Sequence, residues 1–391
     1  MTNSKTFCIL PWMHLATNAS GNLRVCCNSI PGKNNIIRDN GKPYHILDSD
    51  VENFWHSPTM TKIRHQLMNN EKPDMCERCF REESVGIRSA RESANDRWMF
   101  DYESSTKPSA NIRYMDIRLG NLCNLRCRMC NPYSSNQWVD EWHLIERELV
   151  PDEKTRLSNM AWPDNERVSE NLLKFADSIE EIYLTGGEPT LAISQYKLFD
   201  KLIELGVAKK ISLKYNTNCT NVPKKLLDYW QHFKRIKMNA SVDAYGDLNR
   251  YIRYPTGWSL VEKNLLKFKE LEDNGNFELQ VHCTVQTYNV LKINELVDWL
   301  KSQNITNLYF NILNHPSYLN IRAMPQPLKD LARQRLEPYL SINKVKGIID
   351  YMYAEDWNAE QWPKFVQYTK AIDDSRKENV FYVVKELDGY L

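Results

Sequence analysis

The sequence predicts an α/β protein built as a partial (β/α)6 barrel of the TIM type, with a small cysteine-rich domain before it and a helical extension after it. Three observations support this fold class. Short β-rich runs alternate with helical patterns through the middle of the chain, cysteines and turn residues crowd the first 108 residues, and helical periodicity resumes beyond Pro325. Alternating strands and helices indicate parallel strands joined by right-handed crossovers.

The composition narrows the classes of partner. The 391 residues include 51 Lys and Arg against 50 Asp and Glu, so no charge excess points to nucleic acid or to an acidic membrane surface. No run approaches the ~18 apolar residues of a membrane span and no signal-peptide cleavage site is evident, so we expect a cytoplasmic protein. In a reducing compartment, closely spaced cysteines are candidate metal ligands rather than disulfides.

Six β-rich runs predict the barrel strands, and five helical patterns accompany them. The runs begin near residues 112, 181, 210, 235, 277 and 306, and the helices are predicted over 135–149, 193–205, 223–233, 260–271 and 293–300. Two more helices are predicted over 328–340 and 360–372. We expect these last helices to pack against the barrel.

The amino-terminal part has a different character. A hairpin is predicted over 15–27 around Gly21, and helices over 57–68 and 77–91. The stretch 102–110, rich in Ser with Thr and Pro, is the best linker candidate. We therefore predict a cysteine-rich domain over 1–108, a barrel over 109–325 and a helical extension over 326–391.

Three cysteines follow the first barrel strand closely: Cys123, Cys127 and Cys130. The carboxyl ends of barrel strands are where βα barrels carry chemistry. Since a four-iron cluster has four corners, a cysteine trio leaves one iron open for another ligand. The alternatives are a zinc site completed by a distant His or Cys, or three thiols that only pack.

The Cys-x3-Cys-x2-Cys spacing resembles that of the radical S-adenosylmethionine (radical SAM) superfamily. The resemblance implies that the open iron binds the amine and carboxylate of SAM, and that an electron from the cluster cleaves SAM to methionine and a 5′-deoxyadenosyl radical. Met129 stands where the family more often has an aromatic residue. Met is apolar and adaptable, so we expect it still to shield the cluster and cover the adenine.

Later strand ends supply further candidates. Gly186-Gly187-Glu188 after the second strand resembles the family motif whose backbone and acid bind the SAM amine, although alone it is only a strand-to-helix turn. Ser241 and Arg253 are carried over to the SAM carboxylate and ribose, and Asn218 is a weaker polar candidate. A solvated surface arginine is the alternative for Arg253. Cys219 and Cys283 are expected to be buried apolar-like residues.

A second set of thiols precedes the barrel. It consists of Cys8, Cys26, Cys76 and Cys79. Four thiolates close a four-iron site completely, which suits electron transfer or structure, and a four-cysteine zinc site is the alternative. The spacing resembles the SPASM and twitch auxiliary-cluster domains, here placed before the barrel, with shorter resemblances at Trp12, Trp55, Arg64, Glu83 and 89–91. Cys27 is expected to be a buried neighbour.

Together the two resemblances cover about residues 7 to 325. They imply a radical SAM enzyme that binds SAM and two [4Fe–4S] clusters, one SAM-binding and one auxiliary. A flavodoxin- or ferredoxin-like protein would supply its electrons. The enzyme would abstract hydrogen from a peptide or small-molecule substrate, in peptide modification or in alcohol or carbohydrate oxidation. The alternative is a non-catalytic zinc- or iron–sulfur-binding interaction protein. Nucleic-acid modification has little support from the balanced charge.

Overall fold

A computed structural model describes residues 4–29, 36, 38, 40–48, 51–84, 88–99, 108–342 and 344–391. The chain divides into two compact units. The first unit comprises Met1–Leu122, Met160–Tyr215 and Leu227–Arg235, and the second comprises Cys123–Asn159, Asn216–Leu226 and Ile236–Leu391. The predicted domain boundaries at 108 and 325 do not coincide with this division and stay a prediction, and most of the predicted linker lies outside the described residues.

The predicted strands are confirmed. The strands of the described residues are β1 (His14–Thr17), β2 (Leu23–Arg24), β3 (Tyr114–Arg118), β4 (Glu181–Thr185), β5 (Ser212–Thr217), β6 (Arg235–Ser241), β7 (Phe277–Val285) and β8 (Leu308–Ile312). The last six begin within two residues of the predicted positions, because β-branched and aromatic alternation is a local signal.

The helices of the described residues are α1 (Val51–Trp55), α2 (Pro58–Met68), α3 (Glu77–Ser84), α4 (Ala90–Trp98), α5 (Pro151–Ser158), α6 (Glu166–Leu173), α7 (Ser194–Glu204), α8 (Lys224–Trp230), α9 (Gly246–Ile252), α10 (Trp258–Asp273), α11 (Ile293–Ser302), α12 (Gln326–Leu336), α13 (Val345–Ala354) and α14 (Asn358–Arg376). None of them is long and apolar enough to cross a membrane.

The first unit contains strands in the order β2-β1-β3-β4-β5. Strands β1 and β2 form the predicted hairpin and pair antiparallel, whereas β1, β3, β4 and β5 run parallel. The pairing of β1 with β3 was not predicted. It joins the amino-terminal cysteine-rich segment to the first predicted barrel strand by backbone hydrogen bonds.

The second unit contains the parallel strands β6-β7-β8 and the carboxyl-terminal helices. Along β7, Phe277, Leu279, Val281, Cys283 and Val285 are buried, while the residues between them are half-buried and polar. Parallel strands covered on both faces usually read as continuous apolar runs. The alternation therefore marks one face packed on helices and one polar face. With parallel strands and intervening helices in both units, the α/β class with a mostly parallel sheet is confirmed.

The prediction of a helix over 135–149 is wrong. That segment forms short 3₁₀ turns at Asn136–Trp138 and Trp142–Leu144. The Ser135 hydroxyl donates to the Leu125 carbonyl at 2.6 Å, and the Trp138 indole N–H donates to the Cys127 carbonyl at 3.0 Å. These contacts with the cysteine loop hold the segment in a shape that its helical periodicity did not predict.

Other helices differ from the prediction in extent. The helix predicted over 77–91 is two helices, α3 and α4, and the second begins at a capping box between Ser89 and Glu92. Helices α1, α5, α6, α9 and α13 were not predicted. The helices predicted over 193–205, 223–233, 260–271 and 293–300 correspond to α7, α8, α10 and α11, and those in the carboxyl-terminal extension to α12 and α14.

Candidate functional site

The three cysteines of the second unit lie in the loop that follows β3. Cys123 and Cys127 are buried and pack with Leu125, and Met129 and Cys130 pack against them. The thiols of Cys127 and Cys130 share a hydrogen bond, which together with burial raises the pKa of Cys127 well above its usual value. The loop thus gathers its thiols in a largely apolar setting, and Met129 packs against them; that it shields a cluster stays a prediction.

Hydrogen-bond donors surround the first thiol of this trio. The Asn218 side-chain amide donates to the Cys123 sulfur at 3.9 Å, and the backbone N–H of Leu125 donates to the same sulfur at 3.5 Å. Asn218 also donates to the Asn124 side chain at 3.0 Å. Donors aimed at sulfur favour the thiolate form that ligates metals. The predicted residue Asn218 is therefore beside the predicted ligand Cys123.

Arg253 is also beside the trio. It is 8% exposed, so the surface alternative for this residue is wrong. Its Nε lies 2.8 Å from a carboxylate oxygen of Asp243, two residues beyond Ser241, the last residue of β6. Burial alone would lower the pKa of Arg253, but Asp243 and the thiols of Cys127 and Cys130 raise it above its usual value. A fixed cation thus lies next to the thiol trio.

Arg128 anchors the loop from within. It lies between Cys127 and Met129 in sequence and is 1% exposed. Its guanidinium is 3.6 Å from the Tyr251 ring centre and 2.5 and 3.0 Å from the carboxylates of Asp373 and Glu378. Asp373 belongs to α14, and Glu378 follows that helix. The carboxyl-terminal helix therefore holds the cysteine loop by a buried ion pair.

A second ion-pair network reaches the same loop. The carboxylate of Glu141 accepts hydrogen bonds from Arg126 at 2.8 Å and from Arg376, at the end of α14, at 2.8 Å. Sequence reasoning missed Glu141, Asp243, Asp373 and Arg376. The only sequence signal was the pair of arginines alternating with the cysteines, and their acidic partners lie far along the chain.

The glycine pair lies in the first unit and makes close backbone contacts. Gly186 has φ +127°, and a Cβ there would lie 2.8 Å from the Gly120 carbonyl oxygen, while a Cβ on Gly187 would lie 2.2 Å from that of Leu122. Only glycine fits such an approach. Glu188 is buried, its N–H donates to the Leu122 carbonyl, and its carboxylate accepts the Thr190 hydroxyl at 2.7 Å. The motif therefore packs on the backbone just before Cys123.

The four other cysteines come together in the first unit. The pKa of each of Cys8, Cys26 and Cys76 is raised by charge repulsion from two other cysteines of the set. Cys79 contributes to this repulsion in all three cases. Burial, followed by neighbouring Cys8 and Cys79, raises the pKa of Cys26 to about 12. Burial also raises the pKa of Cys8, Cys76 and Cys79. Such thiols lose their protons when a metal centre supplies positive charge.

Backbone amides and one arginine face these thiols. The amides of Leu10, Asn28 and Arg91 donate to Cys8, Cys26 and Cys79 respectively, and each lowers the pKa of its thiol. The Arg91 guanidinium is held 2.7 Å from Glu83 and favours the thiolates of Cys8 and Cys76. Hydrogen bonds to cluster sulfurs are a usual feature of iron–sulfur sites. The donor set therefore fits a four-iron cluster.

Two residues singled out near this set, Arg64 and Cys27, lie in the same unit. Arg64 is fully buried and donates to the carbonyls of Pro11 and Trp55 at 2.9 and 2.7 Å. Cys27 departs from its prediction, since it is half-buried and its thiol faces the carboxylate of Asp116. Cys219 and Cys283 are fully buried, as predicted. Across the described ranges, no three His, Cys, Asp or Glu side chains are arranged around one metal-ion position.

Two family models match the chain. The radical SAM superfamily matches residues 117–312, and an iron–sulfur cluster-binding domain called SPASM matches residues 8–80. The first match spans half of the chain, and the chain belongs to the radical SAM superfamily. The SPASM domain precedes the radical SAM domain, as predicted. These families carry SAM and [4Fe–4S] clusters as their cofactors, which favours iron and sulfide over zinc at both sites.

Similar proteins with curated names are GTP 3′,8-cyclases. The protein of Actinobacillus pleuropneumoniae is 21% identical over 202 residues, 51% of this chain and 53% of that protein. The protein of Staphylococcus epidermidis is 26% identical over 198 residues, 50% of this chain and 52% of that protein. The chain therefore spans about half the length of the curated relatives it matches.

Two solved structures are similar to parts of the chain at low identity. The native anSMEcpe structure with bound AdoMet has a TM-score of 0.41 and 18% identity, covering 58% of this chain and 60% of that one. Streptococcus suis SuiB has a TM-score of 0.39 and 16% identity, covering 84% of this chain and 64% of that one.

Proposed function

We propose that the protein is a radical SAM enzyme that reductively cleaves SAM and abstracts a hydrogen atom from its substrate. The observation that carries the proposal is the gathering of Cys123, Cys127 and Cys130 beside Arg253 and Asn218 in a buried loop of the second unit. A protein that only binds metal needs neither the fourth, open corner nor a cation placed next to it. Membership of the superfamily supports the same conclusion.

The roles proposed for this chain's residues are carried over from the superfamily that it belongs to, and their chemistry suits those roles. Cys123, Cys127 and Cys130 hold the SAM-binding cluster, which when bound supplies the electron that cleaves SAM to methionine and a 5′-deoxyadenosyl radical. Arg253, with Ser241, receives the SAM carboxylate and ribose, since a guanidinium pairs well with a carboxylate. Gly186, Gly187 and Glu188 receive the SAM amine. Asn218 stabilises the thiolate of Cys123 through its amide.

The amino-terminal set has a separate role. Cys8, Cys26, Cys76 and Cys79 hold a closed cluster, because four thiolates leave no corner for SAM. We propose that this cluster accepts an electron from the substrate or holds the substrate, and that a flavodoxin- or ferredoxin-like protein reduces the enzyme. The substrate is a peptide or a small molecule such as an alcohol or carbohydrate. The amides and Arg91 around these thiols support a bound cluster.

The test is anaerobic reconstitution followed by incubation with SAM and dithionite. We expect about eight irons and about eight sulfides per chain, and formation of 5′-deoxyadenosine. Replacing Cys123, Cys127 and Cys130 with Ala removes about four irons and all SAM cleavage, whereas the matched control Cys283→Ala removes a buried thiol and no iron. Stoichiometric zinc with little sulfide contradicts the proposal. So does deoxyadenosine formation by the triple variant.

A further inference from the structure

The polar face of β6 and β7 in the second unit is bonded internally towards the amino ends of the strands. The Asn239 side-chain amide donates to the Asn216 side chain at 2.7 Å. The Gln280 side chain donates to Asn307 at 2.7 Å, and its carbonyl oxygen lies 2.7 Å from Nε2 of His282. These hydrogen bonds satisfy polar groups that would otherwise need water or a ligand. This end of the face is therefore satisfied by the protein itself.

Two hydroxyls nearer the carboxyl ends of these strands differ from that pattern. Ser241, the last residue of β6, lies directly opposite His282 on β7, and Thr284 lies two residues beyond His282. Opposite residues on paired strands, and residues two apart on one strand, place their side chains on the same face of a sheet. Ser241 and Thr284 are both half-buried, and their hydroxyl oxygens are accessible to solvent. Among the described residues, neither hydroxyl makes a hydrogen bond.

The backbone of Thr284 belongs to the network that holds Arg253. The Thr284 N–H donates to one carboxylate oxygen of Asp243 at 2.8 Å, and Nε of Arg253 lies 2.8 Å from the other oxygen. Asp243 thus ties Thr284 to the guanidinium that receives SAM in the proposed function. A hydrogen-bonded network of this kind fixes the relative positions of its members. The Thr284 hydroxyl therefore has a fixed place beside Arg253 and on the same face as Ser241.

We propose that the hydroxyls of Ser241 and Thr284 together bind the two ribose hydroxyls of SAM, so that Thr284 is a further SAM-binding residue. A hydroxyl both donates and accepts, and each protein hydroxyl can therefore pair with one ribose hydroxyl in either sense. The SAM carboxylate pairs instead with Arg253, because a guanidinium offers it charge as well as hydrogen bonds. That SAM binds here rests on the proposed function, whereas the role of Thr284 rests on its accessible hydroxyl and its place beside Ser241 and Asp243.

The separation of the two side chains suits a diol. Adjacent strands lie about 4.8 Å apart and two residues of a parallel strand rise about 6.6 Å, which places Ser241 and Thr284 about 8 Å apart. Two neighbouring hydroxyls bridge that distance, since a hydrogen bond of about 2.8 Å at each end adds to the separation of the diol oxygens. A single hydroxyl reaches only one of the two residues. The pair therefore favours a ribose over a sugar that lacks one of its hydroxyls.

The test compares SAM with its 2′-deoxy and 3′-deoxy analogues. Binding to the anaerobically reconstituted protein is measured by equilibrium dialysis, which needs no turnover. We expect the unmodified protein to bind each analogue about fivefold more weakly than SAM, because one protein hydroxyl loses its partner. Thr284→Val keeps the shape of Thr; it should weaken SAM binding about fivefold and bind one of the two analogues as tightly as SAM. Thr284→Ser keeps the hydroxyl and should bind SAM within about twofold of the unmodified protein.

The matched control is Thr306→Val, which removes an exposed hydroxyl from the segment before β8 and should change no affinity. Unchanged SAM binding in Thr284→Val, or an equal loss for SAM and both analogues, overturns the proposal, because Thr284 then does not contact a ribose hydroxyl. A loss of SAM binding in Thr284→Ser as large as in Thr284→Val also overturns it and makes Thr284 structural. Equal binding of SAM and both analogues by the unmodified protein overturns the ribose assignment alone. Binding of none of the three contradicts the proposed function, on which this role depends.

Discussion

At the scale of single residues, Arg253 is the clearest case of a charge held in place for a ligand. It is buried, paired to Asp243 at 2.8 Å, and close to Cys127 and Cys130. An isolated buried cation would be very costly, so the ion pair is what permits it to lie next to the thiols. Substitution of Arg253 should therefore have two separable effects, one on the stability of the protein and one on the binding of SAM.

Arg253→Met should lower both. Leaving Asp243 buried and unpaired costs about 3–5 kcal/mol of unfolding free energy, and loss of the guanidinium weakens SAM binding roughly tenfold. The double variant Asp243→Asn, Arg253→Met should recover much of the stability and none of the SAM affinity. Denaturant unfolding and SAM titration followed by electron paramagnetic resonance measure the two effects. Recovery of SAM binding in the double variant would contradict the assigned role.

The burial of His14 leads us to expect that the free energy of unfolding depends on pH. His14 is fully buried on β1, stacked 4.5 Å from the Tyr114 ring, and burial lowers its pKa from 6.5 to about 3. The unfolded chain therefore binds a proton below pH 6.5 that the folded protein does not bind. Stability is full above pH 6.5 and is lost as the pH falls towards 3, by about 1.4 kcal/mol for each pH unit.

His14→Phe keeps the stacked ring and removes the titration. The fall in unfolding free energy between pH 7.0 and 5.5 should shrink by about 1.4 kcal/mol relative to the unmodified protein, measured by urea denaturation. The surface residue His56, which is exposed, supplies the control His56→Phe. An unchanged pH dependence in His14→Phe would mean that another group causes it.

At the scale of elements, the strands were predictable and several helices were not. Alternation of apolar and polar residues is read within six or seven residues, so the starts of β3 to β8 follow from the sequence. The segment 135–149 has helical periodicity, yet Ser135, Trp138 and Glu141 bond to the cysteine loop and to α14 instead. Those partners lie up to 235 residues away.

The buried ion pair between Arg128 of the cysteine loop and Asp373 of α14 can be tested with a matched pair of variants. Arg128→Met leaves Asp373 and Glu378 without their buried cation, which should cost about 3–5 kcal/mol and lower the iron retained at the SAM-binding site. Arg250→Met removes another cation from Glu378, 3.2 Å away, but the Arg250 side chain is 40% exposed. We expect about 0–1 kcal/mol and no loss of iron for this control.

Unfolding free energy, iron content and the cluster spectrum with and without SAM measure these effects. A perturbed spectrum in Arg128→Met with unchanged Arg250→Met supports a positioning role for α14. Equal effects of the two variants would mean that α14 stabilises the fold only by packing and does not position the cysteine loop.

At the scale of the whole molecule, the amino-terminal cysteine set and the radical SAM domain meet in one sheet of the first unit, where β1 pairs with β3. Changing Cys76 and Cys79 to Ala should remove about four irons and abolish substrate conversion, while reductive SAM cleavage stays measurable. Because β1 belongs to the sheet, the melting temperature should also fall. Iron analysis, deoxyadenosine yield and thermal unfolding measure this, with Cys283→Ala as the control. Full substrate conversion would make the amino-terminal cluster dispensable.

The sequence by itself determined the class of this protein. The Cys-x3-Cys-x2-Cys spacing, the Gly-Gly-Glu turn and the alternation of strands and helices are local patterns, and they suffice for the superfamily, its cofactors and the order of its domains. The cysteine ligand sets stay predictions. They agree with the gathering of the thiols in each unit.

Only the tertiary structure decided what surrounds those patterns. It paired Arg253 with Asp243 and Arg128 with Asp373, and it placed the side chains of Ser241 and Thr284 on one face of the sheet. Such partners are set by strand register and helix packing between segments far apart in the chain, and no local periodicity encodes them. From the sequence alone, a charged residue is therefore expected to be solvent-exposed. Only the tertiary structure shows which charged residues are buried beside a counter-charge.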